Sequence, residues 1–220
     1  MAVTKTRSRE EGTLALAAGA ALIGENRVQE SLAKWVPKAD VPLHFIGHLQ
    51  TNKVKYAIRH FDAIDSIDSE KLATAIDDCL HAIRYPNRFP VMLQVNGGRE
   101  SSKSGFEPDA ATLRRVLMRA EEWQHLIFTG IMAVFPRPTD NSFGETQRIR
   151  HLMKEIGELW RMCQLEGYPW APLGDLSMGM THDYEWAVEA GATMIRIGSG
   201  IFGSPPIVEE SREANKEGLI

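Results

Sequence analysis

The sequence has little cysteine, and its two cysteines, Cys79 and Cys163, stand alone in 220 residues. They form no C-x-x-C pair, which excludes a cysteine-based zinc site and a disulfide-rich secreted fold. No apolar run reaches the roughly 18 residues that a membrane-spanning helix needs. The N-terminus also lacks the apolar region of a signal peptide. We therefore expect a soluble cytoplasmic protein in a reducing compartment.

The sequence also lacks an excess of basic residues, because its net charge is -4 at pH 7. Nothing in this balance attracts nucleic acid or an anionic membrane, so neither is expected as a partner. Repeats, low-complexity tracts and interdomain linkers are absent. We expect one domain over residues 1–203, followed by a polar C-terminal tail over 204–220.

Short apolar runs alternate with longer amphipathic stretches along the whole chain. Strands are predicted over 2–4, 21–24, 43–47, 61–67, 90–96, 126–132, 174–178 and 193–198. Helices are predicted over 8–18, 27–35, 52–59, 69–83, 109–122, 142–165 and 182–190. Ser69, Pro108 and Thr181 are start signals for three of these helices, and Gly19 and Gly191 are stop signals. This alternation indicates an α/β fold with a parallel sheet, and eight strands favour a closed (β/α)8 TIM-type barrel over an open doubly wound sheet.

A glycine-rich loop follows the last predicted strand, where residues 198–203 have the sequence GSGIFG. The spacing matches a phosphate-binding loop. A dinucleotide site also needs a further helix and strand, whereas Pro205 and Pro206 follow here at once. A second small, open loop begins at Ser177 after strand seven. Barrels of this type often bind phosphate after strands seven and eight, so these loops predict a phosphate site rather than simple tight turns.

Lys5 and Arg196 are charged residues near the same predicted end of the barrel. Lys5 ends strand one and is either a solvated lysine or an amine that forms a Schiff base with an aldehyde cofactor. Arg196 lies two residues before Gly198, so it shares a side of the strand with that glycine. A buried arginine needs a partner. A pyridine nitrogen would serve, and the alternative is a carboxylate such as Asp175 or Glu25.

Several other polar residues have two interpretations each. Asn26 is either a helix N-cap or a cofactor contact. His44 and His48 are about 13 Å apart in an extended strand, too far to share a metal ion, and no metal site is predicted. The segment 48–53 is expected at the rim of the barrel mouth, and Lys103 is expected to be a loop lysine or a rim contact.

Six segments of the sequence resemble one family. They are VTKT at 3–6, GENRVQE at 24–30, HFIGHLQTNK at 44–53, KSGF at 103–106, SMGM at 177–180 and RIGSGIFG at 196–203. In this order they are similar to the pyridoxal phosphate homeostasis protein family. The resemblance implies a single-domain barrel like the N-terminal domain of alanine racemase, with pyridoxal 5'-phosphate (PLP) at its mouth.

The same resemblance implies roles for individual residues. Lys5 matches the Schiff-base lysine, and Arg196 matches the arginine that faces the pyridine nitrogen. Asn26 matches a contact near the ring. The phosphate cradle is implied to consist of Ser177, Gly198 and Ser199. Family members usually carry an extra helix and a fuller first strand before the lysine, so we expect a truncated N-terminus here.

The function expected from the sequence is the binding and supply of PLP in vitamin B6 and amino-acid homeostasis. Apo-enzymes are the expected recipients of the cofactor. The protein itself is expected to be a monomer. A PLP-dependent amino-acid racemase is the alternative. Racemases of this fold use a tyrosine from a second domain as their second acid/base group, so at most weak racemase-type activity is expected. A third class, a phospho-sugar enzyme, predicts paired carboxylates, for which Asp65 and Asp68 are the nearest candidates.

Overall fold

A computed structural model describes residues 1–37, 42–99, 104–136 and 142–204. Lys103 and most of the predicted tail lie outside the described residues. The strands are β1 Ala2–Val3, β2 Ile23–Glu25, β3 Leu43–Phe45, β4 Ala63–Ile67, β5 Phe89–Val95, β6 Leu126–Ala133 and β7 Asp175–Ser177. They form one seven-stranded sheet in chain order, and every neighbouring pair is parallel.

Helices connect the strands, as parallel neighbours require. They are α1 Arg9–Ala17, α2 Val28–Lys34, α3 Val54–His60, α4 Glu70–Ala82, α5 Ala110–Met118, α6 Phe143–Glu166, α7 Tyr184–Glu189 and α8 Ser199–Phe202. Two short 3₁₀ turns, Thr51–Lys53 and Ala120–Glu122, precede α3 and follow α5. Each of the seven predicted helices corresponds to one of α1–α7, while α8 lies inside the predicted glycine loop.

Local capping explains where several helices begin. The side chains of Ser69, Asp109 and Ser142 each accept a hydrogen bond from the backbone N–H three residues later, which satisfies a donor that the first helical turn leaves free. Asp109 therefore caps α5, and Pro108 comes just before that cap. The predicted cap at Thr181 is wrong, because α7 begins after Asp183.

The strand predicted over 193–198 is not formed within the described residues. Isolated β-bridges occur there instead, joining Met194 to Ser177 and Ile197 to Ala2. Between them, the backbone N–H of Arg196 donates to the carbonyl of Gly179 at 3.0 Å, and this bond to a loop interrupts the strand ladder. The structure thus shows an α/β fold with a parallel sheet of seven strands, and the eighth predicted strand is represented by these two bridges.

The two faces of the sheet differ in chemistry because side chains alternate along each strand. The face toward the helices carries large apolar residues, including Phe45, Phe89 and Phe128, which belong to the main hydrophobic core. The opposite face carries small and polar residues, including Asp65 and Ser177, both fully buried.

None of the helices within the described ranges combines the length and the apolar character that a membrane crossing demands.

Candidate functional site

Arg196 is a buried cation on the polar face of the sheet, with 5% of its surface exposed. Its Nη1 donates to Ser177 Oγ at 2.8 Å and its Nη2 to the carbonyl of Ala133 at 2.8 Å. In the described parts of the chain it forms no ion pair. A guanidinium has five N–H donors, so these two bonds leave donors for a further acceptor.

Electrostatics keep Arg196 charged. Burial lowers the pKa of Arg196 to about 10, and the carboxylates of Asp65 and Asp183 act in the opposite direction. At neutral pH the side chain is therefore protonated and donates hydrogen bonds only.

The carboxylates considered from the sequence as partners of Arg196 are engaged elsewhere. Glu25 Oε1 accepts bonds from the hydroxyl of Thr4, the amine of Lys34 and the indole N–H of Trp35. Asp175 accepts a bond from Thr193 at 3.2 Å. Among the described residues neither carboxylate pairs with Arg196, whose acceptors there are the Ser177 hydroxyl and the Ala133 carbonyl.

Ser177 lies at the end of β7 and is fully buried. Because its oxygen accepts from Arg196, its own hydroxyl hydrogen is left to donate. Arg196 thus holds the Ser177 oxygen in position and leaves its hydroxyl hydrogen to donate.

The glycine loop lies next to the end of β1. The Val3 N–H donates to the carbonyl of Ile197 at 2.8 Å, and a Cβ placed on Gly198 would lie 3.6 Å from the Val3 carbonyl oxygen. The hydrogen bonds of the following turn begin with Ile201, which donates to Gly198. The N–H groups of Gly198 and Ser199 therefore precede the first bond of that turn and have no acceptor within it.

Thr181 ties this loop to the loop after β7. Its Oγ1 accepts from the N–H of Gly200 at 3.0 Å and from the hydroxyl of Ser199 at 3.2 Å. This role of Thr181 is not predicted from the sequence, where Thr181 is interpreted as a helix cap. The available signal was its position four residues after Ser177 in the same predicted loop.

Lys5 lies in a turn directly after β1, and its side chain is exposed. The next residue, Thr6, has a positive φ of 60°. Lys5 follows Val3 by two residues, so the turn leaves the sheet at the end where Gly198 also lies.

Asn26 is not the N-cap of α2, a position that Arg27 occupies without a side-chain bond. Its Oδ1 is buried and has no partner among the described residues. A cleft of about 490 Å³ opens beside it, and its lining includes His48, Gln50 and Lys53. The cap interpretation is therefore wrong, and the amide of Asn26 is available to a ligand.

Each of the two histidines has its own carboxylate. His44 Nδ1 lies 3.0 Å from both oxygens of Asp65, and His48 Nδ1 lies 3.0 Å from Asp68. Asp68 also accepts a bond from Ser69. Asp65 and Asp68 thus serve separate histidines, which argues against the pair of catalytic carboxylates that a phospho-sugar enzyme would need.

Comparison with known proteins shows the family of this chain. A family model described as alanine racemase, N-terminal domain, matches residues 1–206. The pyridoxal phosphate homeostasis protein of Pasteurella multocida is 35% identical over 208 residues, covering 93% of this chain and 85% of that protein. The human protein of the same name is 35% identical over 211 residues, covering 92% of this chain and 75% of the human protein. The chain belongs to the pyridoxal phosphate homeostasis protein family.

Solved structures are consistent with membership of the pyridoxal phosphate homeostasis family. PipY of Synechococcus elongatus, in a structure with PLP bound, is 32% identical with a TM-score of 0.76, covering 92% of this chain and 91% of that chain. Alanine racemase of Clostridium difficile has a TM-score of 0.75 at 13% identity, covering 93% and 52%, a likeness that shows the fold alone. The family predicted from the sequence segments is confirmed.

The pair of His44 and Asp65 should make stability depend on pH. Burial of the ring, the largest single influence, lowers the pKa of His44. The hydrogen bond and charge of Asp65, with two more distant carboxylates, outweigh this and raise the pKa above its usual value. The stabilising contribution is therefore complete below the unfolded pKa of about 6.5 and disappears as pH rises through the folded pKa.

We accordingly expect the difference in unfolding free energy between wild type and His44→Gln to shrink from pH 6 to pH 9, as measured by urea denaturation. His48→Gln is the matched control, because 64% of the His48 side chain is exposed, against 15% for His44. Solvent screens an exposed pair. A flat difference for His44→Gln would show that the buried pair does not stabilise the fold through its charge.

Proposed function

We propose that this protein binds PLP and takes part in intracellular PLP and amino-acid homeostasis. The observation that carries the proposal is the buried Arg196, which has donors to spare and no ion pair among the described residues. Membership of the family supports it, as does the PLP bound to the relative PipY.

The residues at the end of the sheet fit the chemistry of this cofactor. Arg196 would donate to the pyridine nitrogen, and the amide of Asn26 would contact the ring region. The hydroxyl of Ser177 and the N–H groups of Gly198 and Ser199 would hold the phosphate. The groups around the phosphate would all be hydrogen-bond donors to a dianion. Such charge-assisted bonds are among the strongest that a neutral group can make.

We assign covalent attachment to Lys5. When bound, PLP supplies an aldehyde, which condenses with a primary amine to form a C=N bond, a Schiff base, with release of one water. Lys5 is supported by its position after β1, next to the glycine loop, and by its exposed, accessible amine. An accessible amine also suits a protein that exchanges its ligand.

The chain's residues favour holding the cofactor over strong catalysis. Arg196 stays protonated at neutral pH and cannot transfer a proton to the ring nitrogen, so it does not strengthen the ring as an electron acceptor. We therefore propose a carrier that passes PLP to apo-enzymes, with at most weak racemase activity. Racemisation of an amino acid is the second candidate, favoured by the match to the alanine racemase N-terminal domain.

Closure of the sheet into a barrel is also part of this proposal. We propose that the segment 193–197 closes the seven-stranded sheet into a (β/α)8 barrel. The bridges from Met194 to Ser177 and from Ile197 to Ala2 support closure, because they join this segment to both outer strands. The single-domain boundary at residue 203, the cytoplasmic location and the monomeric state remain predictions.

Trapping the bound cofactor tests the assignment of Lys5. Borohydride reduction of PLP-loaded protein should fix a pyridoxyl group on the peptide that contains Lys5. Lys5→Ala should lose the visible absorbance band, because the amine assigned to the Schiff base is removed. Lys154→Ala, at an exposed position on α6, is the control and should keep the band. A pyridoxyl group on Lys53 or Lys103 instead of Lys5 would contradict the assignment.

Replacing Ser177 tests the phosphate cradle. Loss of one charge-assisted bond should weaken PLP binding in Ser177→Ala by about tenfold or more, whereas pyridoxal, which has no phosphate, should bind nearly as before. Both dissociation constants can be measured by absorbance titration. Ser66→Ala is the matched control, because Ser66 is equally buried in β4 and its hydroxyl has no partner among the described residues. Equal losses for both ligands would place the phosphate elsewhere.

A further inference from the structure

Lys34, at the end of α2, is a second lysine close to the end of β1, and only 8% of its side chain is exposed. Its amine donates to the Thr4 carbonyl at 2.6 Å, to Glu25 Oε1 at 2.8 Å and to Glu30 Oε1 at 3.4 Å. A lysine ammonium has three hydrogens, so these three oxygens engage all of them. Lys34 is thus a fixed cation rather than a free amine.

The acceptors of Lys34 hold the turn that carries Lys5. The Thr4 hydroxyl donates to Glu25 Oε1 at 2.6 Å, immediately before Lys5. The Thr6 N–H donates to Glu30 Oε1 at 2.7 Å, immediately after it. Together with the bond from Lys34 to the Thr4 carbonyl, these contacts fix the backbone on both sides of Lys5, while its side chain stays exposed.

We infer that Glu25, Glu30 and Lys34 form a turn clamp, a group of positioning residues that directs PLP attachment to Lys5. The inference rests on the proposed function. A ligand anchored at Ser177 and Arg196 reacts quickly only with an amine that is held within reach, since fixed placement removes the entropic cost of bringing the two groups together. Without the clamp, Lys5 would react like any other surface lysine.

Substitutions at Glu30 disturb the buried core least, because the Glu30 carboxylate is partly exposed. Glu30→Ala removes the acceptor for the Thr6 N–H, whereas Glu30→Gln keeps an oxygen that can accept the same bond. Lys34→Met removes all three bonds of the amine, and Lys34→Arg keeps the cation. Lys154→Met is the matched control, since Lys154 forms only an exposed pair with Glu158 at 3.9 Å.

Two measurements separate positioning from a general loss of structure. The first is the rate at which PLP becomes attached to Lys5, followed by borohydride quenching and peptide mapping. The second is the affinity for pyridoxine 5'-phosphate, which has the ring and phosphate but an alcohol in place of the aldehyde. Damage to the cradle would weaken both, whereas loss of the clamp should slow attachment alone. Thermal unfolding confirms that each variant is folded.

We expect Glu30→Ala to slow attachment about tenfold, with Glu30→Gln remaining within about twofold of wild type. Lys34→Met should be slower still, and Lys34→Arg should recover part of the loss. Pyridoxine 5'-phosphate should bind Glu30→Ala as it binds wild type. If Lys34→Met does not fold, the two Glu30 variants decide the question.

A folded Glu30→Ala that is labelled at Lys5 at the wild-type rate would overturn the clamp and leave the proposed function intact. A pyridoxyl group on Lys34 in wild type would also overturn it, because Lys34 would then be a reacting amine. Wild-type protein labelled at neither lysine would overturn the clamp and the assignment of Lys5 together.

Discussion

A buried positive charge that forms no ion pair with any described residue is the constraint on which the site depends. Removing a guanidinium from water is unfavourable unless hydrogen bonds replace the lost hydration. Among the residues that the structure describes, the Ser177 hydroxyl and the Ala133 carbonyl are the acceptors of Arg196. These contacts hold the ends of β6 and β7 around the guanidinium. Its remaining N–H donors would be completed by a ligand that carries a hydrogen-bond acceptor. An acceptor such as a pyridine nitrogen meets this need without introducing a second charge.

The carboxylates near this cation are held by other groups. Asp65 is bound to His44, and Asp183 accepts the N–H of Met180 at 2.6 Å. Glu25 lies in the turn clamp with Lys34. Asp65 and Asp183 are close enough to favour the charged form of Arg196, yet neither neutralises it by direct contact. The fold thereby balances the charge of Arg196 at a distance, without an ion pair among the described residues.

Much of this arrangement could be predicted from the sequence. Alternating apolar runs and helix start signals such as Ser69 located seven strands and seven helices, because these features depend on neighbours along the chain. The loops at Ser177 and Gly198 were likewise evident from their composition. Within the described residues the eighth predicted strand forms only isolated bridges, because the N–H of Arg196 bonds to Gly179 in a neighbouring loop, a contact between distant segments. The link through Thr181 and the clamp around Lys5 also join distant segments, so no local pattern indicates them.

The central claim is that Arg196 donates to the pyridine nitrogen of bound PLP and leaves that nitrogen unprotonated. The most direct test is the ¹⁵N NMR shift of PLP labelled at the ring nitrogen and bound to the protein. The account predicts the shift of an unprotonated, hydrogen-bonded nitrogen that stays constant from pH 6 to pH 9, within the range where Arg196 keeps its proton. The shift of a protonated pyridinium ring across that range would contradict the account, because it would require a carboxylate rather than Arg196 at the nitrogen.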